Sequence, residues 1–291
     1  MGAASARSRR LPPTPPLAAL AGTSYTRDMR ILITNDDGIN APGLEVLHTI
    51  ASDLAGASGE VWTVAPAFEQ SGVGHCISYT HPTMISEFGP KRFAAEGSPA
   101  DCVIAALHDV MKDAPPDLIL SGVNKGNNSA ENTLYSGTIG AAIEAAIQGF
   151  PAIALSQYYG PGNIGLTNQF EAAATHGADT IRKILAAPQA FTSAPYKLFY
   201  NVNFPPVPAD AVKGIRAVAQ GFREGGTGMG MKADVAPNGR KFLWITGSAQ
   251  NVPSGADTDA TANLDGYISV TPMRADLTAY DRLSALKAAV E

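Results

Sequence analysis

The chain has 291 residues, of which 45% are apolar and 16% charged, and its net charge is −5. This composition is typical of a globular protein, and it excludes general disorder, a coiled coil and a collagen-like fibre. The sequence contains no run of apolar residues long enough to span a membrane. Beyond residue 28 it is net acidic with no cluster of Lys and Arg, so we expect no binding to long nucleic acid.

The first 28 residues differ from the rest of the chain. They contain four arginines and one acid, and the prolines between positions 12 and 16 prevent a helix. A disordered extension, an organelle transit peptide and an upstream start codon are alternative explanations of such a segment. We treat residues 1–28 as a disordered extension outside the fold, and we expect the fold to begin at Met29.

Strands and helices are predicted to alternate from Met29 onward. Short apolar runs rich in branched residues predict buried parallel strands, and apolar residues at helical spacing predict the helices between them. This alternation predicts an α/β fold in which helices flank a parallel sheet on both faces. The predicted strands are 30–34, 60–65, 117–121, 152–155 and 198–202, and the predicted helices are 42–55, 98–112, 137–148 and 170–185.

The sequence changes character after residue 205. Gly and Pro become frequent, and residues 224–231 show neither helical nor strand periodicity. Residues 242–246 and 267–270 predict strands without helices between them, and residues 277–290 predict a terminal helix or arm. We therefore expect residues 29–205 to form the α/β core and residues 206–291 to form an extended part of the same domain. Such an extension often packs on a second subunit, which suggests an oligomer.

Polar side chains follow the predicted central strands. Asp36 and Asp37 follow the first strand, Ser71 follows the second and Asn124 follows the third. Ligands of parallel sheets bind beyond the carboxyl ends of the strands, so we expect these side chains to meet at one edge. Carboxylate, hydroxyl and amide oxygens suit a hard cation such as Mg²⁺ or Mn²⁺. Zinc is disfavoured because no Cys or His lies at these strand ends.

A predicted anion site lies at the start of the Ala-rich helix. Ser136, Gly137 and Thr138 offer backbone N–H groups and two hydroxyls at a helix amino terminus. An oxygen-ligated cation that faces an anion site suggests phosphoryl chemistry. Each part also has a simpler explanation: Asp-Gly often forms only a turn, and Ser136 could merely cap its helix.

Other suggestive residues carry weaker predictions. Cys76 and Cys102 form no metal pattern and are interpreted as reduced thiols of a cytoplasmic protein. A Cys76–His75 nucleophile is not expected, because no neighbour in the sequence would orient His75. Glu144 is left open between reaching the anion site and solvating its own face of the helix. The remaining predictions are of solvated or partly buried residues, namely His48, His81, His108 and His176, and Asp257 and Asp259 in a polar turn.

Six motifs together resemble the stationary-phase survival protein SurE family. The resemblance implies a Rossmann-like core with a carboxyl-terminal region that exchanges between subunits of a homodimer or homotetramer. It also implies a divalent-metal phosphatase of nucleoside 5′-monophosphates, often of 3′-monophosphates and in some members of short polyphosphate. The motifs are NDDGINAPG (35–43), APAFEQSG (65–72), GSPADCV (97–103), PDLILSGVNKG (116–126), YSGTIGAAIEA (135–145) and GYISVTP (266–272).

The resemblance assigns roles by position. It implies one divalent cation per subunit, Mg²⁺ or Mn²⁺. Our hypothesis for the mechanism is attack on phosphorus by a metal-activated water, with Asp36 and Asp37 as the catalytic residues; one of them, or a second metal-bound hydroxide, would orient the water. Glu131 and Asn132 depart from the acids that often precede this family's YSGT string, which leaves the substrate preference open. The implied site residues are Asp36, Asp37, Ser71 and Asn124 for the metal, Ser136, Gly137 and Thr138 for the phosphate, and Asn40 and Asn128 as neighbours.

Three other classes of protein compete with this interpretation. The alternative retained is a receiver-like signalling module that binds Mg²⁺ without catalysis, although Asn124 stands where its acceptor aspartate would be. A phosphoaspartate-forming phosphatase of the haloacid dehalogenase type needs Asp-x-Asp, whereas Asp36 and Asp37 are adjacent. A dinucleotide-binding oxidoreductase needs a glycine fingerprint that does not follow the first strand.

Overall fold

The computed structural model describes residues 28–188, 190–191, 196–223, 229–247 and 249–291. The predicted disordered extension lies outside the described residues except for Asp28. The Asp28 carboxylate accepts a hydrogen bond from the Ser58 backbone N–H at 3.1 Å. Among the described helices, none is both long and apolar enough to cross a membrane.

The strands form one large sheet and one separate hairpin within the described residues. The large sheet has the order β3-β4-β2-β1-β5-β6-β7-β11-β8, and β9 pairs with β10 alone. The strands are β1 (Arg30–Thr34), β2 (Glu60–Pro66), β3 (Ile85–Gly89), β4 (Arg92–Ala95), β5 (Leu118–Lys125), β6 (Ala152–Gln157), β7 (Phe199–Phe204), β8 (Ile215–Ala217), β9 (Gly230–Val235), β10 (Lys241–Thr246) and β11 (Ile268–Met273).

The helices cover both faces of the large sheet. Ile31 and Ile33 of β1 pack in one apolar cluster with α1 and α4, whereas Leu32 packs in a second cluster with α2 and α3. The predicted α/β class with flanking helices is therefore confirmed. The helices are α1 (Pro42–Ala55), α2 (Pro99–Ala105), α3 (Gly137–Ile147), α4 (Glu171–Ala186), α5 (Asp259–Leu264) and α6 (Tyr280–Val290).

The centre of the sheet contains its topological switch point. Strand β1 pairs in parallel with β2 on one side and with β5 on the other. The chain leaves β1 toward β2 and later returns to β5, so a crevice opens beyond the carboxyl ends of β1 and β5. Strand β11 pairs antiparallel with β7 and brings the carboxyl-terminal part of the chain back into the sheet.

Some predicted elements differ from the structure. The predicted helix 98–112 begins with Ser98 as its cap, as expected, but α2 ends at Ala105 and continues as a π-helical turn, Ala106–Val110. Met111 donates to the carbonyl of Ala106 at 2.7 Å in that turn. Strands β3, β4, β8 and β9 and helix α5 were not predicted.

The carboxyl-terminal region has two parts with little burial. Every described residue of β9 and β10 is exposed except Gly230, which is half-buried, and α6 has no buried residue. We call the hairpin formed by β9 and β10 the arm. Large apolar side chains are exposed on both of its faces, since Phe242 and Trp244 alternate with Leu243 and Ile245 along β10. A surface of this kind is typical of an interaction site.

Candidate active site

The loop after β1 is a hydrogen-bonded turn. The Asn35 side-chain amide donates to the Gly38 carbonyl at 2.9 Å, and its oxygen accepts from the Gly38 N–H at 3.2 Å. Gly38 has a φ of +102°, a conformation that favours glycine. The turn places Asp36 and Asp37 at the mouth of the crevice, where Asp36 is only 3% exposed and Asp37 is half-buried.

The amino end of α3 holds Asp36. The Thr138 hydroxyl donates to Asp36 Oδ1 at 2.6 Å, and the Thr138 N–H donates to Oδ2 at 3.1 Å. A Cβ on Gly137 would lie 2.9 Å from Asp36 Cβ, so glycine permits this close approach. Ser136 caps the helix by accepting from the Ile139 N–H at 3.1 Å. The simpler explanation of Ser136 as a cap is therefore confirmed, while a phosphate-binding role of the segment stays a prediction.

Ser71 and Asn124 lie at the crevice because the residues next to them, Gln70 and Lys125, are hydrogen-bonded to Asp36 and Asp37. The Gln70 N–H donates to the Asp36 carbonyl at 2.7 Å, which fastens the loop after β2 to the loop after β1. Ser71 is exposed, and its hydroxyl donates to Glu69 at 2.9 Å. The Lys125 N–H donates to Asp37 Oδ2 at 3.0 Å at the end of β5. The four predicted ligand positions therefore lie around one crevice.

Electrostatics at the crevice favour a cation. Burial, together with the neighbouring charge of Asp37, raises the pKa of Asp36 to about 6, against the opposing hydrogen bonds from Thr138. Burial also raises the pKa of Asp37, with a further contribution from the charge of Glu69. A divalent cation between these carboxylates would reverse both effects, because it stabilises their ionised forms.

The donor set fits a hard cation. The set consists of two carboxylates, the Ser71 hydroxyl and the Asn124 amide. The amide nitrogen of Asn124 donates to the Gly126 carbonyl at 3.0 Å, so its oxygen is the atom that could act as a ligand. The described residues contain no group of three or more His, Cys, Asp or Glu side chains placed to hold a metal ion. The candidate site therefore combines two acids with two neutral oxygens.

The two predicted neighbours differ in their surroundings. Asn40 is exposed near the start of α1. Asn128 is buried and donates from its side chain to Ser156 at 2.8 Å, while its backbone N–H donates to Asn203 at 2.7 Å. Asn128 thus fastens the loop after β5 to β6 and β7. Its assignment as an active-site neighbour stays a prediction.

The structure shows that two interpretations from the sequence, of Asp259 and of His75, are wrong, and it decides the open one of Glu144. Asp259 is fully buried rather than solvated, and it accepts from the backbone N–H groups of Ala130 and Gly221 at 3.0 and 2.9 Å. His75 does have an orienting group, because its Nε2 lies 2.7 Å from Glu144 Oε2. Glu144 is buried, so it does not solvate its face of α3. These partners are distant in sequence, and no local pattern identified them.

Arg223 is a further residue that the sequence analysis missed. It is fully buried, and its guanidinium donates to Glu131 at 2.9 Å and to the Asn127 side chain at 3.1 Å. This contact fastens the segment before the arm to the loop that follows β5.

The fold and the candidate site define an α/β protein with a polar, acidic crevice at the switch point of a mainly parallel sheet. A family model described as Survival protein SurE matches residues 31–227, and the chain belongs to this family. The resemblance seen in the motifs is therefore confirmed.

Individual relatives agree with this assignment. A protein of Jannaschia sp. (strain CCS1) named 5′-nucleotidase SurE is 87% identical over 263 residues, which cover 90% of this chain and 100% of the relative. A protein of the same name from Roseobacter denitrificans is 69% identical over 89% of this chain and 98% of its own length. The crystal structure of the Sure protein from Aquifex aeolicus matches with a TM-score of 0.72 at 32% identity, covering 90% of this chain and 100% of that one.

Proposed function

We propose that this chain is a divalent-metal-dependent 5′-nucleotidase, which hydrolyses nucleoside 5′-monophosphates to nucleosides and phosphate. The observation that carries the proposal is the pair of carboxylates at the switch point: Asp36 is buried and held against the amino end of α3, and the half-buried Asp37 accepts from the Lys125 N–H. Relatives with 69% and 87% identity bear the name of this activity. We extend the proposal to 3′-monophosphates and short polyphosphate as further substrates.

The residues of the crevice would have separate roles in metal binding and in catalysis. Asp36, Asp37, Ser71 and Asn124 would hold one Mg²⁺ or Mn²⁺ per subunit. When bound, such a cation lowers the pKa of water and neutralises charge on a phosphoryl oxygen. Thr138 donates one hydrogen bond to each Asp36 oxygen, so each oxygen keeps a lone pair with which it could bind a cation.

The remaining groups would bind and orient the substrate. The half-buried Asp37 carboxylate would accept a proton from the attacking water. The amino end of α3 would stabilise the phosphate oxygens through its dipole. No covalent intermediate with the protein is required.

The test is phosphate release from AMP by the purified protein. We expect turnover with Mn²⁺ or Mg²⁺, none after EDTA treatment, and recovery when the cation is restored. A panel of 5′- and 3′-monophosphates and short polyphosphate ranks the substrates under the same conditions. Turnover that survives exhaustive chelation, or the absence of turnover with every cation and substrate, contradicts the proposal. The receiver-like alternative is not favoured, since the relatives named above are nucleotidases.

We also propose that the protein self-associates, as a homodimer or homotetramer, through the arm and α6. Trp244 is 62% exposed and Ile245 is 68% exposed on the arm, and α6 exposes Leu286 and Val290. Light scattering should give a mass of at least two subunits. The double change Trp244→Ser and Ile245→Ser should lower this mass, whereas Lys241→Ser on the same strand should not. A monomeric wild-type protein contradicts this proposal.

Two free cysteines, Cys76 and Cys102, suit a reducing compartment. We therefore propose a cytoplasmic location, which cell fractionation with an antibody against the protein would test.

A further inference from the structure

The loop that carries Ser71 has little packing of its own. Gly72 and Gly74 have φ values of +77° and +57°, and a Cβ on Gly72 would meet no atom within 4 Å. Ser71 itself is exposed. The Gln70–Asp36 hydrogen bond fixes the loop on one side of Ser71, and the Ser71 hydroxyl donates to Glu69 within the same loop. Contacts on the other side of Ser71 must therefore complete the positioning of its hydroxyl.

Those contacts lie on α3 and on the residue just before its cap. The Gly74 N–H donates to the Tyr135 carbonyl at 2.9 Å, and a Cβ on Gly140 would lie 2.2 Å from the Gly74 carbonyl oxygen. The next residue, His75, places Nε2 2.7 Å from Glu144 Oε2. The loop is thus bonded through its backbone to the residue before the cap of α3, and through one side chain to α3 itself.

Both carboxylate oxygens of Glu144 have hydrogen-bond partners. Its side chain is 4% exposed, and its second oxygen accepts from Gln148 at 2.7 Å. Burial acts to raise the pKa of Glu144, but the hydrogen bonds from His75 and Gln148 outweigh it and leave the pKa below its usual range. A carboxylate inside an Ala-rich helix is costly unless its partners compensate for the lost hydration.

Helix α3 therefore touches both halves of the candidate metal site. Thr138 in its first turn holds Asp36, and Glu144 two turns later holds the loop of Ser71. We propose that His75 and Glu144 are positioning residues. They hold the Ser71 hydroxyl at the distance from Asp36 at which both can bind the divalent cation, and so strengthen its binding. The proposal rests on the proposed function, since it takes Ser71 as a ligand of that cation.

The test measures Mn²⁺ binding by calorimetry without substrate, so that its readout does not depend on turnover. His75→Ala should weaken binding by about tenfold, the lower range for groups that orient a metal ligand. Glu144→Ala should do the same. Glu144→Gln should restore most of the affinity, because its amide oxygen can still accept from His75. Gln148→Ala is the matched control: it removes the other hydrogen bond of Glu144 and should change the affinity less than twofold.

A double-mutant cycle distinguishes action through Ser71 from general damage to the fold. If His75 acts through Ser71, then His75→Ala should have no further effect on Mn²⁺ affinity in a Ser71→Ala background. Thermal melting of each variant separates loss of stability from loss of binding. His75 lies in a loop with a partly exposed side chain, so His75→Ala should fold.

Unchanged Mn²⁺ affinity in His75→Ala, or equal losses with and without Ser71, would overturn this inference and leave the proposed function standing. A wild-type protein that binds no Mn²⁺ and releases no phosphate from AMP would overturn both.

Discussion

The crevice and the arm distribute polar and apolar surface in opposite ways. At the crevice, the polar side chains of Asn35, Asp36 and Thr138 are buried and hydrogen-bonded to one another or to nearby backbone. On the arm, Trp244 and Ile245 leave large apolar surfaces exposed. The crevice is thus organised within one chain, whereas the arm has an apolar surface that its own chain does not cover. We therefore expect the proposed chemistry to need only the single subunit, and we expect the arm to serve the proposed association.

The two regions are nevertheless connected at the base of the arm. Arg223, which precedes the arm, bonds to Glu131 and Asn127, and Gln250, which follows the arm, accepts from Asn132 at 2.6 Å. Both ends of the arm therefore contact the segment that follows β5. This connection can be broken separately from the crevice and from the arm.

The largest effect is expected from Asp36→Asn. The change removes one carboxylate from the candidate metal site, so we expect metal-dependent phosphate release to fall by at least about 10³-fold. The fold should survive, because the amide oxygen can still accept from the Thr138 N–H while the amide nitrogen donates to the Thr138 hydroxyl oxygen. The raised pKa of Asp36 even predicts a gain in stability for the metal-free variant at pH 8, since the ionised form of a buried carboxyl is unfavourable there. Substantial metal-dependent turnover in this variant contradicts the assignment.

The next effect concerns the connection between the regions. Arg223→Met removes one partner of a buried ion pair and should lower the free energy of unfolding by about 3 kcal/mol in urea denaturation. The matched control is Arg282→Met, which breaks an exposed pair with Asp281 in α6 and should cost less than about 1 kcal/mol. Equal effects of the two changes would show that Arg223 does not hold the base of the arm.

A smaller loss is expected from Gly137→Ala. The new Cβ would displace Asp36 and weaken phosphate release by roughly 10- to 100-fold, as is common for residues that orient a metal ligand. Gly165→Ala is the control, because a Cβ at Gly165 meets no atom within 4 Å. The mass in light scattering should be unchanged in both variants. Full activity of Gly137→Ala would mean that α3 does not determine the position of Asp36.

The sequence predicted the crevice side of this comparison better than the arm side. The continuous apolar run of β1 and the Asn35–Gly38 turn depend on local chemistry, and both the strand and the helix that follows were predicted with their observed bounds. Strands β3 and β4 are short and mix polar with apolar residues, so their sequences show no clear strand periodicity.

Contacts between residues far apart in the sequence were the second limit on what the sequence could predict. Asp259 was interpreted as solvated because its neighbours in sequence are polar, but the N–H groups that it satisfies belong to Ala130 and Gly221. His75 and Glu144 are 69 residues apart. Periodicity and capping rules describe contacts within a few residues, so they contain no information about these pairs.

The smallest effect, and the one that best separates the two regions, is the response to pH. A metal ligand must be deprotonated, so Mn²⁺ affinity should fall by about tenfold per pH unit below the metal-free pKa of Asp36, which is about 6. Calorimetry between pH 7 and pH 5 measures this loss. The described residues of the arm contain no His, so the mass in light scattering should stay constant over the same range. A loss of association that parallels the loss of Mn²⁺ would show that metal binding and assembly depend on each other, and the separation drawn between crevice and arm would fail.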